Sequence, residues 1–366
     1  MKQIRLGLIG LGGMASVHAE QVAGIEGAAI TAICDRDAAR VAEWGDKLGL
    51  DASSRYFEPE DLIRNADVDA VMSITPNNAH YEIIRLCLVH GMPIMTEKPF
   101  TRTFAEAKAL MELSVQHPSL CMVGFSYRYT PSYRLAREMI RDGKIGTLRH
   151  VFLQYLQQWG GPLFDTKMNW RLDRTITGTG TLGDLGSHMV DAARFLIGEP
   201  TEVSALMSNL ISEREDPVTG RSVPVDIDDF AAFTALLEPG VPAVFQTSRN
   251  AYGSNNQFEI SVYGDNGTLR MGWEYGETLI WTHPGPDGQP LVEELQVPES
   301  YKLKQMQDFV DRVRGTMREE TGTLRDGYLN QLALEAVEQS YLARRAVKLS
   351  DIEAGFTAPS VAGVKE

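Results

Sequence analysis

Apolar residues in the first third of the chain fall into short runs, and the segments between them carry helical spacing. Residues 4–9, 29–34, 69–75, 92–96 and 120–125 each read as a strand. Residues 37–47, 80–90 and 104–116 read as helices; in the second of these, Ile83, Ile84, Leu86, Cys87 and Leu88 supply the apolar positions. Such alternation predicts a parallel sheet covered on both faces, with ligands gathered at the carboxyl ends of its strands. After Pro131 a helix reaches to Arg141, and beyond Arg149 the texture changes. Residues 151–155, 202–207, 229–237, 243–248, 258–263 and 268–271 read as strands, and Tyr263-Gly264-Asp265-Asn266-Gly267 has hairpin-turn composition. A run of strands without intervening helices predicts a mostly antiparallel sheet. Two helical faces follow, one through Leu303, Met306, Phe309, Val310 and Val313, the other through Leu329, Leu332, Ala333, Ala336, Val337 and Tyr341. The polar stretch after Phe356 is expected to be loose.

The turn after the first strand adds chemistry to this outline. Gly10-Leu11-Gly12-Gly13-Met14-Ala15 matches G-x-G-x-x-G/A between a strand and a helix that begins near Gly13. Gly10 permits the tight turn. Gly12 removes the Cβ that would hold a pyrophosphate off the backbone, and Ala15 lets helix and strand pack closely. The helix start then offers free N–H groups and its positive dipole end to phosphates. Asp35 ends the second strand, twenty residues beyond Ala15, where an acidic residue takes the adenosine ribose hydroxyls. A carboxylate there favours NAD, while Arg36 beside it keeps NADP open; the alternative role for Asp35 is a helix cap. Thr75, Asn77 and Glu97-Lys98-Pro99 also fall at strand ends. Lys98-Pro99 reads either as a surface turn or as a cis bond that aims the lysine into the cleft.

Composition narrows the partners. At 366 residues the chain is long enough for two domains. A formal net charge of -14 argues against nucleic acid or an anionic membrane surface. No stretch approaches the roughly 18 apolar residues of a membrane span, and the N-terminal run, broken by glycines, does not read as a signal peptide; a cytoplasmic location is the expectation. Cys34, Cys87 and Cys121 have the spacing of neither a zinc site nor a disulfide framework and are expected as small buried hydrophobes.

Five segments together resemble the Gfo/Idh/MocA family of glucose-fructose oxidoreductase, inositol dehydrogenase and rhizopine-catabolism proteins. They are GLIGLGGMA (7–15) with His18, AVMSITPNNAH (70–80), TEKPF (96–100), VGFSYRYTP (123–131) and GTGTLGDLGSHMVD (178–191). The resemblance implies an α/β protein with a Rossmann NAD(P)-binding domain over 1–125. It implies a substrate-binding α+β domain with a large, mostly antiparallel open sheet over 126–366. One uncovered face of that sheet would favour a homo-oligomer, a dimer or tetramer. It also implies oxidation or reduction of one hydroxyl carbon of a sugar or cyclitol with NAD or NADP. By position, Gly10, Gly12, Gly13, Met14, Asp35, Arg36, Thr75, Pro76, Asn77, His80, Glu97, Lys98, Arg128, Trp170 and Arg171 fall to the cofactor. Lys98 falls at the reacting centre, with Asp184 and His188 facing it. Ser126 departs from the family, where many members carry Asn.

Residue types alone leave some roles open. Asp184 and His188 are four apart, so one helical turn puts both on one side. Asp184 could equally cap a helix and His188 sit buried; too few ligands stand nearby to expect a metal. With Lys98 in the same chain, a neutral His188 would take a hydroxyl proton, the Lys98 ammonium would stabilise the alkoxide, and Asp184 would accept from a neighbouring hydroxyl. Gln157, Gln158, Trp159, Asn169, Trp170 and Arg171 form a polar, aromatic segment, with Tyr155 on the strand before it. It suits a neutral ring bearing several hydroxyls, or is a surface loop pinned by its tryptophans. The expected function is an NAD-dependent dehydrogenase of a sugar, glycoside or cyclitol. An NAD-dependent glycosidase with transient sugar oxidation and a non-catalytic NAD-binding regulator are the alternatives.

Overall fold

The computed structural model describes residues 3–272, 278–316 and 321–355; the polar stretch after Phe356 lies outside them. Two units divide the chain, Met1–Phe125 with Lys304–Tyr328, and Ser126–Leu303 with Leu329–Glu366. Residues 304–328, expected in the second domain, therefore group with the first. The reason is local bonding: the Arg314 guanidinium donates to the Glu26 and Gly27 carbonyls at 2.7 and 3.1 Å, and Val123 N donates to Gly322 O at 2.8 Å. No sequence periodicity carries contacts of that kind.

In the first unit the apolar runs become β1 (Ile4–Ile9), β2 (Ala28–Cys34), β4 (Ala70–Ser73), β5 (Ile94–Thr96) and β6 (Cys121–Val123), joined by a short β3 (Arg55–Tyr56). Their order is β3-β2-β1-β4-β5-β6, and every pair is parallel. This is the doubly wound order, with its switch point between β1 and β4. Helices α1 (Ala15–Ala23), α2 (Ala38–Leu48), α3 (Pro59–Asn65), α4 (Asn77–Val89) and α5 (Phe104–Gln116) connect the strands. Neither β3 nor α3 has a counterpart in the apolar pattern, because two and seven residues are too few to establish a period.

Helix caps decide one open reading. Asp37, not Asp35, caps α2, accepting from Ala39 N at 2.9 Å and Arg40 N at 3.4 Å. At α5 a full capping box joins Thr103 and Glu106 directly after the Lys98 segment. Thr103→Ala is expected to cost about 1 kcal/mol of stability, read as a lowered urea midpoint with an unchanged slope.

The second unit opens with α6 (Pro131–Arg141) and β7 (Leu148–Gln157), followed by a one-turn α7 (Arg174–Thr177) and α8 (Ser187–Leu196). Beyond these come β8 (Pro200–Ser208), a small hairpin of β9 (Glu213–Glu215) and β10 (Ser222–Pro224), β11 (Phe230–Leu237), β12 (Val241–Ser248), β13 (Asn256–Gly264) and β14 (Gly267–Gly272). Strands β15 (Thr278–Pro284), β16 (Pro290–Gln296) and β17 (Val347–Lys348) complete the set. Nine of them form one sheet in the order β16-β15-β14-β13-β7-β12-β11-β8-β17. All neighbours are antiparallel except β7 and β12. The sequence pattern misses β15 and β16, whose Glu293 and Glu294 and single fully buried Leu279 give no clean alternation. One sheet face is core, with Phe233 and Phe245 stacked at 4.4 Å. On the other, Val244 stands beside Phe152 in register, and both are exposed.

Candidate active site

Each unit carries its own half of the predicted chemistry. In the first, the β1–α1 turn has the form a dinucleotide requires. Gly10 adopts φ +90°, and a Cβ there would sit 2.6 Å from the Ile74 carbonyl oxygen, so only glycine fits. Gly12 and Gly13, by contrast, would extend a Cβ into open space, which is the room a pyrophosphate needs. Met14 at the helix start makes no side-chain cap; Ala15 N is taken by Gly12 O at 3.0 Å, and the N–H groups after it in the first turn have no side-chain cap. The Asp35 carboxylate accepts from Leu11 N at 2.7 Å and from Asp37 N at 2.9 Å, which locks it to the glycine turn. These residues fit a dinucleotide.

The Lys98 segment is held from both sides. Upstream, Glu97 bonds His18 Nε2 through Oε1 at 2.8 Å and accepts from Lys98 N through Oε2 at 3.2 Å. Burial pushes the Glu97 carboxyl up, but His18 and the Lys98 charge outweigh it and hold the group below its ordinary value. Downstream, Lys98–Pro99 is cis, and His80 Nδ1 lies 2.9 Å from the Pro99 carbonyl.

In the second unit, Asp184 lies on a π-helical turn, Leu182–Gly186, and His188 on α8. The single α-helical turn expected between them is thus replaced by a wider one. Tyr155 lies beside His188. Its ring centroid is 6.0 Å from that of His188, and Asp184 is among the charges acting on its phenol. Burial first, then Tyr127 and Asp184, push that phenol far above its ordinary range. Tyr127 packs edge-on against His188 at 4.8 Å.

A side-chain chain runs through this wall. Trp159 Nε1 donates to Gln157 Oε1 at 2.7 Å, Gln157 Nε2 donates to Asn256 Oδ1 at 2.7 Å, and Tyr155 OH donates to Asn256 Oδ1 at 2.9 Å. Tyr127 OH lies 2.8 Å from Tyr155 OH. Because the Tyr155 proton goes to Asn256, Tyr127 is the donor to Tyr155. Sequence reasoning missed Asn256 and Arg249. The latter donates to Asp184 Oδ2 at 2.8 Å while only 2% exposed. Among the described residues no group of three His, Cys, Asp or Glu is placed to hold a metal.

Residues 4–125 match an oxidoreductase family with an NAD-binding Rossmann fold, and residues 133–270 match the Gfo/Idh/MocA C-terminal domain. Levoglucosan dehydrogenase of Pseudarthrobacter phenanthrenivorans is 31% identical over 297 residues, 76% of this chain and 76% of that protein. The chain belongs to the Gfo/Idh/MocA family. Myo-inositol 2-dehydrogenase of Thermotoga maritima is 26% identical over 353 residues, covering 95% of this chain and 99% of that one. A solved levoglucosan dehydrogenase in complex with NADH and L-sorbose matches with a TM-score of 0.87 at 26% identity, over 96% of this chain and 100% of its own. The protein is therefore an oxidoreductase of an NAD-binding family, and no described helix is long and apolar enough to cross a membrane.

Several positions assigned through the Gfo/Idh/MocA resemblance are tied into the protein's own structure. His80 is fully buried, with its ring nitrogens against the Pro99 and Thr75 carbonyls at 2.9 and 3.0 Å, so it ties those two backbone segments together. Arg128 is buried and closed bidentately on Asp191 at 2.8 and 2.6 Å, because an unpaired charge at that depth costs too much. Pro76 is the N-cap of α4, and Asn77, its first residue, is buried. Thr75 Oγ1 bonds Ser73 Oγ at 3.2 Å. Arg36 is exposed, 3.9 Å from Glu58, while Arg40, not singled out from sequence, lies 3.9 Å from Asp35. Arg171 stacks over the Trp170 ring at 4.4 Å, and Asn169 caps their turn by accepting from Arg171 N. Trp159 packs against a small core of Leu172, Val225 and Ile227, so it is pinned as well as polar-bonded.

Proposed function

We propose that the protein is an NAD-dependent dehydrogenase that oxidises a secondary hydroxyl of a neutral sugar, glycoside or cyclitol. The observation that carries this reading is the Tyr155-centred wall, where the His188 imidazole packs against an aromatic cluster and Asp184, one π-helical turn before it, is held by a buried arginine. When bound, the nicotinamide supplies the hydride acceptor. His188 takes the hydroxyl proton, Lys98 stabilises negative charge on the reacting oxygen, and Asp184 accepts from a neighbouring hydroxyl. Asn256 has its oxygen committed to Tyr155 and Gln157, so the donor it can offer a hydroxyl-bearing ligand is its amide nitrogen. Gln157, with both amide atoms bonded to Trp159 and Asn256, acts in this reading as a link and not as a direct substrate contact. The exposed Phe152 and Val244 face supports self-association as a homo-oligomer.

The experiment is an assay of the protein with NAD and a panel that includes levoglucosan, myo-inositol, free sugars and aryl glycosides. Steady NADH formation is the expected result. Aglycone release without net NADH points to the glycosidase, and silence in both to a regulator. The same assay run with NADP tests Asp35. Asp35→Ala removes the acceptor of the ribose hydroxyls and leaves Arg36 and Arg40 nearby, and it is expected to raise the NADP-to-NAD ratio of kcat/KM by about tenfold or more.

A further inference from the structure

Arg249 follows directly on β12 and is among the largest fully buried side chains. A guanidinium keeps its charge when buried, so its surroundings have to be built to hold it. Nη2 donates to Asp184 Oδ2 at 2.8 Å and to Gly180 O at 3.3 Å, and Nη1 donates to Arg171 O at 3.3 Å. The guanidinium lies 5.0 Å from the Trp159 ring centroid. Its backbone is fixed in both directions: Arg249 N donates to Asp229 O at 3.0 Å, and Gly160 N donates to Arg249 O at 2.9 Å.

Tying β12 to the glycine-rich loop needs no more than the two carbonyl bonds. The contact with Asp184 does something further. Its side chain stays 27% exposed, so one oxygen of a solvent-reachable carboxylate is fixed by a cation that cannot move. The same cation touches Trp159 and the Arg171 backbone, so one group sets the carboxylate relative to both tryptophan-bearing segments. We infer that Arg249 is the positioning residue for Asp184, fixing the carboxylate's rotamer for a substrate hydroxyl and keeping it in register with the aromatic wall. This rests on the proposed role of Asp184.

The test is a double-mutant cycle of Asp184→Asn and Arg249→Lys, assayed with NAD and the best substrate of the panel. Arg249→Lys keeps the charge and loses the planar fork. It is expected to lower kcat/KM for the polyol about tenfold, to leave NAD affinity unchanged, and to cost nothing further in the Asp184→Asn background. Equal losses in both backgrounds, or wild-type kinetics for Arg249→Lys beside an impaired Asp184→Asn, overturn the inference and leave the dehydrogenase reading intact. Wild-type turnover of Asp184→Asn, or silence across the panel, overturns the reading on which it rests and the inference with it. Should the lysine variant not fold, Gly160→Ala replaces it in the cycle. Its added Cβ would lie 2.9 Å from the Arg249 Cβ and carbonyl oxygen, so it displaces the arginine without deleting it, and the same non-additivity is expected.

Discussion

Lys98→Ala is expected to lower polyol-dependent NADH formation by about 10²-fold or more while NAD binding is little changed, since in the proposed reaction it removes the cation that stabilises the reacting oxygen. The expectation depends on the backbone staying where it is, and contacts of Glu97, of the Lys98 N–H and of the Pro99 carbonyl hold it. Glu97 is fixed by His18, the Lys98 N–H is fixed by Glu97, and the Pro99 carbonyl is fixed by His80. Phe100, two residues on, is fully buried. The alanine variant therefore keeps the loop and loses the charge. A decrease in kcat with unchanged NAD affinity, measured by initial rates and a cofactor titration, is the pattern of a group that acts in the transition state. Lys98→Arg is expected to restore little, because a planar fork does not replace a compact ammonium at a single oxygen. Wild-type turnover in the alanine variant would remove Lys98 from the mechanism.

Much of this was legible in the chain because local rules carried it. A glycine turn between a buried strand and a helix admits few meanings, and Gly10 at φ +90° against a backbone carbonyl satisfies the strictest of them. Asp35 was read by its distance from that turn, and the competing cap role passed to Asp37 two residues later, a shift that spacing does not resolve. What stayed hidden depends on long-range pairing. Asn256 meets Gln157 across 99 residues, and Arg249 meets Asp184 across 65. Gln157 and Trp159 looked like ligand contacts because their polar atoms had no visible partners nearby in sequence. They turn out to bond each other and Asn256. Arg128 is of the same kind: its partner Asp191 lies 63 residues away, and the burial that forces the pair together is a property of the fold. The π turn under Asp184 likewise follows from packing, since Gly180 is pressed against the Asp228 backbone and Asp228 accepts from Gly180 N and Leu182 N.

His188→Asn should produce the largest loss, about 10²- to 10⁴-fold in kcat, the usual range for a positioned general base. The wall itself offers a rival, since Tyr155 is a phenol in the same cluster. Its environment argues against it. Burial pushes its proton affinity far up, and its proton is committed to Asn256 at 2.9 Å. Tyr127 is bound in turn to Tyr155 and stacked edge-on against Phe258 at 4.7 Å. Both phenols thus serve as a rigid backing, which leaves the imidazole as the base of the proposed reaction. The sign follows. A base must be neutral to accept the proton, so kcat/KM in the wild type should fall on the acid side as the base becomes protonated. In His188→Asn that acid limb should vanish along with the rate, whereas Tyr155→Phe should keep the limb. If the limb survives in the asparagine variant and disappears in the phenylalanine variant, the proton goes to the tyrosine, and the wall works in the opposite sense from the one its hydrogen bonds imply.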